Sequence, residues 1–87
     1  MPLIHDDDGA RLEIRGRGFL YYVSPEGKEY QVNSEMVGTE EYDIAAYASD
    51  ITLVGQQTQV TAQERVEIIS RVRKLCDKGS VRIRIFE

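Results

Sequence analysis

The sequence predicts an α+β fold, in which one long amphipathic helix packs on one face of an antiparallel or mixed sheet of five to six strands. Three observations predict it. Apolar residues recur with a helical period over residues 61–79, they alternate with a period of two before and after that segment, and 87 residues are enough for one domain. A final strand is expected after the helix, because residues 80–86 alternate again.

The helix is the most clearly marked element. Thr61 and Glu64 fit a capping box, in which each side chain bonds to the backbone amide of the other residue. Gly79 is well placed to end the helix as a left-handed residue. The residues predicted to share its apolar face are Ile68, Ile69, Val72, Leu75 and Cys76. We therefore expect this face to pack on the sheet, with the single cysteine acting as a small hydrophobic residue.

Strands are expected before the helix wherever apolar and polar residues alternate. They cover residues 11–15, 19–23, 28–33, 42–48 and 51–54. Ser24–Gly27 has proline at the second position and glycine at the fourth, as a type I turn prefers, so it joins two of these strands in a hairpin. Gly16–Gly18 is also expected to be a turn. Glu35–Gly38 fits either a short strand or one helical turn.

We expect residues 1–10 to form a flexible N-terminal lead-in and residues 11–87 to form a single α+β domain. No run approaches the roughly 20 apolar residues of a membrane span. The first four residues, followed by three aspartates, do not resemble a signal peptide. A lone cysteine cannot form an internal disulfide. The cytoplasm is therefore the expected compartment, and no membrane is expected as a partner.

The net charge of −4 conceals an asymmetry along the chain. Residues 1–60 carry eleven acids and four bases, a balance of −7, whereas residues 61–87 carry seven bases and four acids, a balance of +3. This division argues against uniform attraction to nucleic acid or to an anionic membrane. A basic partner that faces the acidic part of the chain is the more natural expectation. The ordinary alternative is solvated surface charge.

No combination of residues predicts catalysis, so we expect a protein that is not an enzyme and that needs neither metal nor cofactor. His5 and Asp6–Asp8 are potential metal ligands, but they lie in the expected lead-in, with no second region to complete the coordination sphere. Arg15–Gly18 is similar to phosphate-binding loops and to arginine-glycine RNA segments. It lacks the spacing of a phosphate loop, and a hairpin turn explains both of its glycines.

One acidic and aromatic set of residues predicts a surface that binds a partner. Carboxylates suit a basic partner, and tyrosines are favoured anchors at protein interfaces. The set consists of Glu35, Glu40, Glu41, Tyr42, Asp43, Tyr47 and Asp50. The alternative for either tyrosine is that its ring completes the core.

Several segments, taken in order, also carry a resemblance to a known family. They are Phe19–Tyr22, Tyr30–Val32, Glu35–Gly38, Tyr42–Tyr47 and Val60–Ile69. Their hydrophobic pattern and order resemble those of small bacterial immunity proteins of polymorphic toxin systems, over roughly residues 11–85. The resemblance implies a cytoplasmic protein that binds and neutralises a cognate toxin domain, which could be basic and nuclease-like. No family motif assigns binding residues.

Two other functions are compatible with the sequence. The chain could be a homo-oligomeric structural or assembly module, such as a homodimer joined through an exposed edge strand. It could also be a small nucleic-acid-binding domain with an arginine-bearing sheet face, in which Tyr22 supplies a stacking surface. The arginines of that face would be Arg11, Arg15, Arg82 and Arg84. The overall acidity makes nucleic acid the weaker expectation.

Overall fold

The computed structural model describes residues 3–15, 18–56 and 58–86. These residues contain seven strands and one helix. In chain order they are β1 (Leu3–His5), β2 (Arg11–Arg15), β3 (Phe19–Val23), β4 (Glu29–Met36), β5 (Ile44–Leu53), β6 (Thr58–Gln59), α1 (Ala62–Lys78) and β7 (Ile83–Phe86). The predicted α+β fold is confirmed, with the helix on one face of the sheet and a final strand after it.

The sheet is mixed, and β5 pairs with three other strands. Strands β1 to β6 pair as antiparallel neighbours in chain order, whereas β7 pairs in parallel with β5. Strand β4 lies along one side of β5. On the other side, β7 pairs with Ile44–Tyr47 and β6 pairs with Thr52 and Leu53. The chain therefore passes from β5 through α1 and returns beside the first half of β5.

A bulge shifts the pairing register of β5 with β4 at the middle of β5. Val32 pairs with Ile51, whereas Ser34 pairs with Ala46, so Asn33 alone opposes residues 47–50. The sequence predicted two short strands here, interrupted at Ser49 and Asp50. The structure instead has one strand, because pairing with β4 continues on both sides of the extra residues.

The predicted capping box at the start of α1 is confirmed, but the prediction that Gly79 is the left-handed residue at its end is wrong. The Glu64 amide donates to Thr61 Oγ1 at 3.1 Å, and the Thr61 amide donates to Glu64 Oε1 at 3.3 Å. Gly79 caps the helix with a φ of −89°, and the left-handed residue is Ser80, with a φ of 58°. Gly79 has a packing role instead, because a Cβ there would lie 2.5 Å from Ile4 Cδ1.

The core lies between α1 and the sheet. All five helix residues predicted to face the sheet are buried. The fully buried large side chains are Leu12, Leu20, Ile44, Ile51, Leu75 and Cys76. Burial raises the pKa of the Cys76 thiol to about 11, so at neutral pH it behaves as the small hydrophobic group that the sequence predicted.

The N-terminal residues are part of the folded domain, which differs from the flexible lead-in predicted for residues 1–10. Strand β1 pairs with β2, and Ile4 is buried. Asp6 lies 3.2 Å from Lys74 on the helix, and Asp8 forms an ion pair with Arg71. Three residues are too few for an alternating pattern to be visible in the sequence. Residues 1 and 2 lie outside the described residues, as do residues 16 and 17 of the predicted Gly16–Gly18 turn.

Candidate functional site

The sheet has one face that the helix leaves uncovered. Ile44 and Ala46 of β5 belong to the core, so the side chains between and after them point to the opposite face. The strand register places Ala45 between Glu35 of β4 and Arg84 of β7, and it places Tyr47 beside Phe86. We call the sheet surface that carries Glu35, Ala45, Tyr47, Arg84 and Phe86 the open face.

Three aromatic rings and one arginine form a cluster at the β5–β7 end of the open face. The rings of Tyr47 and Phe86 stack with their centroids 6.1 Å apart, and Tyr42 meets Phe86 edge-on at 6.4 Å. The Arg84 guanidinium carbon lies 5.4 Å from the Phe86 centroid and 5.9 Å from that of Tyr42. Phe86 keeps 37% of its surface exposed. We call these four residues the aromatic cluster.

Glu35 joins the edge of the aromatic cluster. It lies in β4 opposite Ala45. Ala45 comes two residues before Tyr47 in β5, so the two side chains point to the same face of the sheet. Burial raises the pKa of the Tyr47 hydroxyl, and the neighbouring Glu35 carboxylate raises it further. The tyrosine therefore stays protonated at neutral pH and can donate a hydrogen bond.

The loop between β4 and β5 is held in place by Arg82. This guanidinium donates to the Asp43 carboxylate at 2.7 and 3.3 Å and to the Thr39 carbonyl at 3.2 Å. Its hydrogen bond lowers the pKa of Asp43. Within the loop, the Thr39 hydroxyl donates to the Tyr42 carbonyl at 2.7 Å. Glu40 and Glu41 are consequently presented from an ordered loop, with both residues exposed.

The structure brings six of the seven predicted binding residues to this corner of the molecule. They are Glu35, Glu40, Glu41, Tyr42, Asp43 and Tyr47. Asp50 instead lies at the bulge of β5, where it accepts a hydrogen bond from Asn33 at 3.0 Å. Both tyrosine rings lie on the side away from the helix and remain partly exposed, so neither completes the core.

Sequence reasoning did not place Arg84 and Phe86 in this site. The alternation of residues 82–86 predicted that Arg82, Arg84 and Phe86 share a face, but nothing local indicated that their strand would lie beside β5. The two arginines also reduce the predicted acidity. Arg82 pairs with Asp43, and Arg84 lies 3.9 Å from Glu41. The four carboxylates of the corner therefore exceed its two guanidiniums by only two charges.

The arginine stripe considered for nucleic acid does not form. Tyr22 stacks on Tyr30 on the side that faces the helix and is 3% exposed. Arg11 lies in β2, four strands away from β7, which corresponds to about 19 Å at roughly 4.8 Å per strand. The Arg82 guanidinium is already engaged with the β4–β5 loop. The side chain of Arg15 lies outside the described residues.

A polar cleft of about 230 Å³ separates the first half of α1 from the β3–β4 hairpin. Burial raises the pKa of both tyrosines that line it, Tyr22 and Tyr30. Two of the charged groups that line it already have partners, because Glu64 caps the helix and Arg71 pairs with Asp8. We therefore do not assign chemistry to this cleft.

The described residues contain neither a potential metal-binding group of side chains nor a helix that could span a membrane. No three side chains of histidine, cysteine, aspartate or glutamate converge there. His5 is exposed in β1, and its neighbour Asp6 is bound to the helix. Within the same residues, no helix combines the length and the apolar character needed to cross a membrane.

Comparisons with protein-family models, with curated proteins and with solved structures returned no match.

Proposed function

We propose that the protein is a non-enzymatic immunity protein, which binds a cognate bacterial toxin domain through the open face and thereby neutralises it in the cytoplasm of the producing cell. The observation that supports this proposal most directly is the half-exposed aromatic cluster on a sheet face that the helix leaves uncovered. Aromatic residues and arginine are enriched at the centres of protein interfaces. The resemblance in element order to immunity proteins suggests the class of partner.

The carboxylates around the aromatic cluster suit a basic partner. Glu35, Glu40 and Glu41 are exposed; Glu35 neighbours Tyr47, and Glu41 lies 3.9 Å from Arg84. Opposite charges across an interface accelerate the encounter and select the partner, and both effects weaken as salt rises. Because Arg82 holds the loop that carries Glu40 and Glu41, little conformational freedom needs to be lost on binding.

The proposal is tested with the candidate toxin domain encoded by a reading frame adjacent to that of this protein. Binding is measured by calorimetry and neutralisation by growth of cells that express both proteins. We expect Tyr47→Ala to weaken binding by about 2 kcal/mol, or roughly thirtyfold, because it removes a central ring and its contact with Phe86.

A second variant tests the charges. Replacement of Glu35, Glu40 and Glu41 together by glutamine should slow association and flatten its salt dependence. Asp43 is kept, because its carboxylate holds Arg82. The matched control replaces Glu26, Glu67 and Asp77 by their amides, since these exposed acids lie on the hairpin turn and on the helix.

Thermal unfolding of each variant separates lost binding from lost folding. If both open-face variants bind as tightly as the control, the open face is not the interface. If the unmodified protein neither binds the toxin domain nor protects cells, the proposed immunity function is wrong.

A further inference from the structure

Strand β7 is an edge strand with free backbone hydrogen-bonding groups. It pairs only with β5, with Ile83 beside Ile44 and Ile85 beside Ala46. The Ile44 amide donates to the carbonyl of Arg82 at 3.2 Å. Because alternate residues bond to a given neighbour in a parallel ladder, the amides and carbonyls of Ile83 and Ile85 point away from β5. No described backbone group pairs with them.

This edge is less protected than the opposite edge of the sheet. Proteins guard free edges with very short strands, charged residues, prolines or covering segments. Strand β1, at the other edge, has three residues and is followed at once by Asp6–Asp8. Strand β7 carries Ile83 and Ile85, and the guanidinium of Arg84 lies over the rings of the aromatic cluster. The β7 edge is therefore available for pairing.

One side of α1 provides an apolar flank for this edge. Val66 is 69% exposed, and together with Ile69, Ser70 and Arg73 it lines an open depression of about 300 Å³. Ile69 and Ile85 also line one small void beneath the helix, so this side of α1 lies next to β7. A strand added to β7 would direct every second side chain towards Val66 and Ile69.

The positive charges beside the β7 edge determine which kind of added strand is favoured there. The outward residue in the middle of β7 is Arg84, and Arg73 on the helix flank pairs with no acid among the described residues. A second copy that paired antiparallel with Ile83 opposite Ile85 would place Arg84 opposite Arg84. Like charges directly opposite each other destabilise a strand pair. A strand with an acid opposite Arg84 is favoured by the same rule.

We propose that the β7 edge and the Val66–Arg73 side of α1 bind an extended segment of a partner protein as an added strand. The segment carries apolar residues opposite Ile83 and Ile85 and an acidic residue opposite Arg84. Main-chain hydrogen bonds to Ile83 and Ile85 supply affinity, and the alternate side chains supply specificity. This mode of binding goes beyond the proposed function, because it does not depend on the partner being a toxin.

The test uses NMR of the isotope-labelled full chain and a blocked seven-residue peptide that alternates valine and glutamate. The amides of Ile83 and Ile85 should shift on titration, and their hydrogen exchange should slow at least tenfold. The amides of β1 should not respond and serve as the internal control edge. A peptide with lysine in place of glutamate should bind at least tenfold more weakly, because it places a cation opposite Arg84.

A matched pair of variants tests the helix flank. Val66→Lys puts a charge beside β7 without touching the β5–β7 pairing, and it should weaken binding of the glutamate peptide at least tenfold. Leu3→Lys, at a position 48% exposed in β1, should bind the peptide normally. Thermal unfolding of both variants verifies the fold.

Three outcomes would overturn the inference: equal binding of the two peptides, an equal response of the β1 amides, or a concentration-dependent dimer that Val66→Lys dissociates. These readouts involve no toxin domain. A failure of the proposed immunity function is therefore distinguishable from a failure of strand addition.

Discussion

At the end of α1, Gly79 permits close packing and Ser80 adopts the left-handed conformation. A single glycine often combines these two roles. Gly79 lacks a side chain where Ile4 of β1 approaches the helix, and its φ of −89° is ordinary. Ser80 adopts the left-handed φ of 58° that lets the chain leave the helix towards β7. For a residue with a Cβ, this conformation costs roughly 1–2 kcal/mol.

We expect Ser80→Gly to stabilise the protein by about 0.5–1 kcal/mol, because relief of the left-handed strain exceeds the added entropy of the unfolded chain. Gly79→Ala should have the opposite sign, with a loss of about 1 kcal/mol, because its Cβ would lie 2.5 Å from Ile4 Cδ1 and 2.9 Å from Cγ1. Chemical denaturation measures both. A destabilised Ser80→Gly variant would show that the hydroxyl matters more than the backbone.

At the scale of the elements, ion pairs connect the turn that follows β1 to helix α1. Asp6 and Asp8 follow β1 and face Lys74 and Arg71 on α1. The pKa of Asp6 is lowered first by a hydrogen bond from the Asp7 amide and then by Lys74. That of Asp8 is lowered by the Ala10 amide and then by Arg71. The loop before β5 has an equivalent contact between Asp43 and Arg82.

These three carboxylates predict acid sensitivity. Their pKa values are lower in the folded state than in the unfolded chain, so their contribution to stability is complete above about pH 4 and is lost as the pH falls through the folded pKa values. Thermal unfolding between pH 7 and pH 2.5 should show a decline that starts near pH 4. Asp6→Asn combined with Asp8→Asn should unfold at a lower temperature at pH 7 and show a shallower decline.

The control for acid sensitivity is Asp77→Asn, whose carboxylate is exposed and forms no ion pair with any described residue. It should retain the slope of the unmodified protein. An unchanged slope in the Asp6 and Asp8 variant would mean that other groups govern acid unfolding.

The elements also differ in how far the sequence predicts them. Helix α1 is long enough to show a full helical period, and its capping box is local, so its extent and buried face were predictable. Strands β1 and β6 have three and two residues, which is too short for alternation to be visible. They exist because longer neighbours offer them backbone partners.

The candidate site was predictable only in part, for a related reason. Glu35, Tyr42 and Tyr47 lie close together in the sequence, and the β4–β5 connection keeps them close in the structure. Arg84 and Phe86 join them only because β7 returns to β5 after the helix. Asp50 leaves the group because the bulge displaces it. Long-range pairing and bulges leave no periodic signal in a single sequence.

On the scale of the whole molecule, the acidic and basic parts of the chain neutralise one another. Asp6, Asp8 and Asp43 from the acidic part contact Lys74, Arg71 and Arg82 from the basic part. The asymmetry along the sequence therefore does not become two separate surfaces of opposite charge. What remains is a modest excess of acid around the aromatic cluster.

Cys76 should report opening of the whole core. It is fully buried on the sheet-facing side of α1, and burial raises the pKa of its thiol to about 11. Because the thiolate is the reactive form, a disulfide reagent at pH 8 should leave the native protein nearly unmodified and react rapidly in denaturant. Absorbance of the released thiol measures both rates. Rapid modification without denaturant would mean that the helix detaches locally from the sheet.

The parallel pairing of β5 with β7 determines when the aromatic cluster can assemble during folding. Strands β1 to β6 join neighbours in the sequence and can associate early, whereas Tyr47 meets Phe86 only after the intervening helix has docked. Contacts between distant segments form late, because the loop that they close is entropically costly. An incompletely folded chain consequently has no assembled aromatic cluster, so the proposed recognition of a partner would be restricted to molecules that have finished folding.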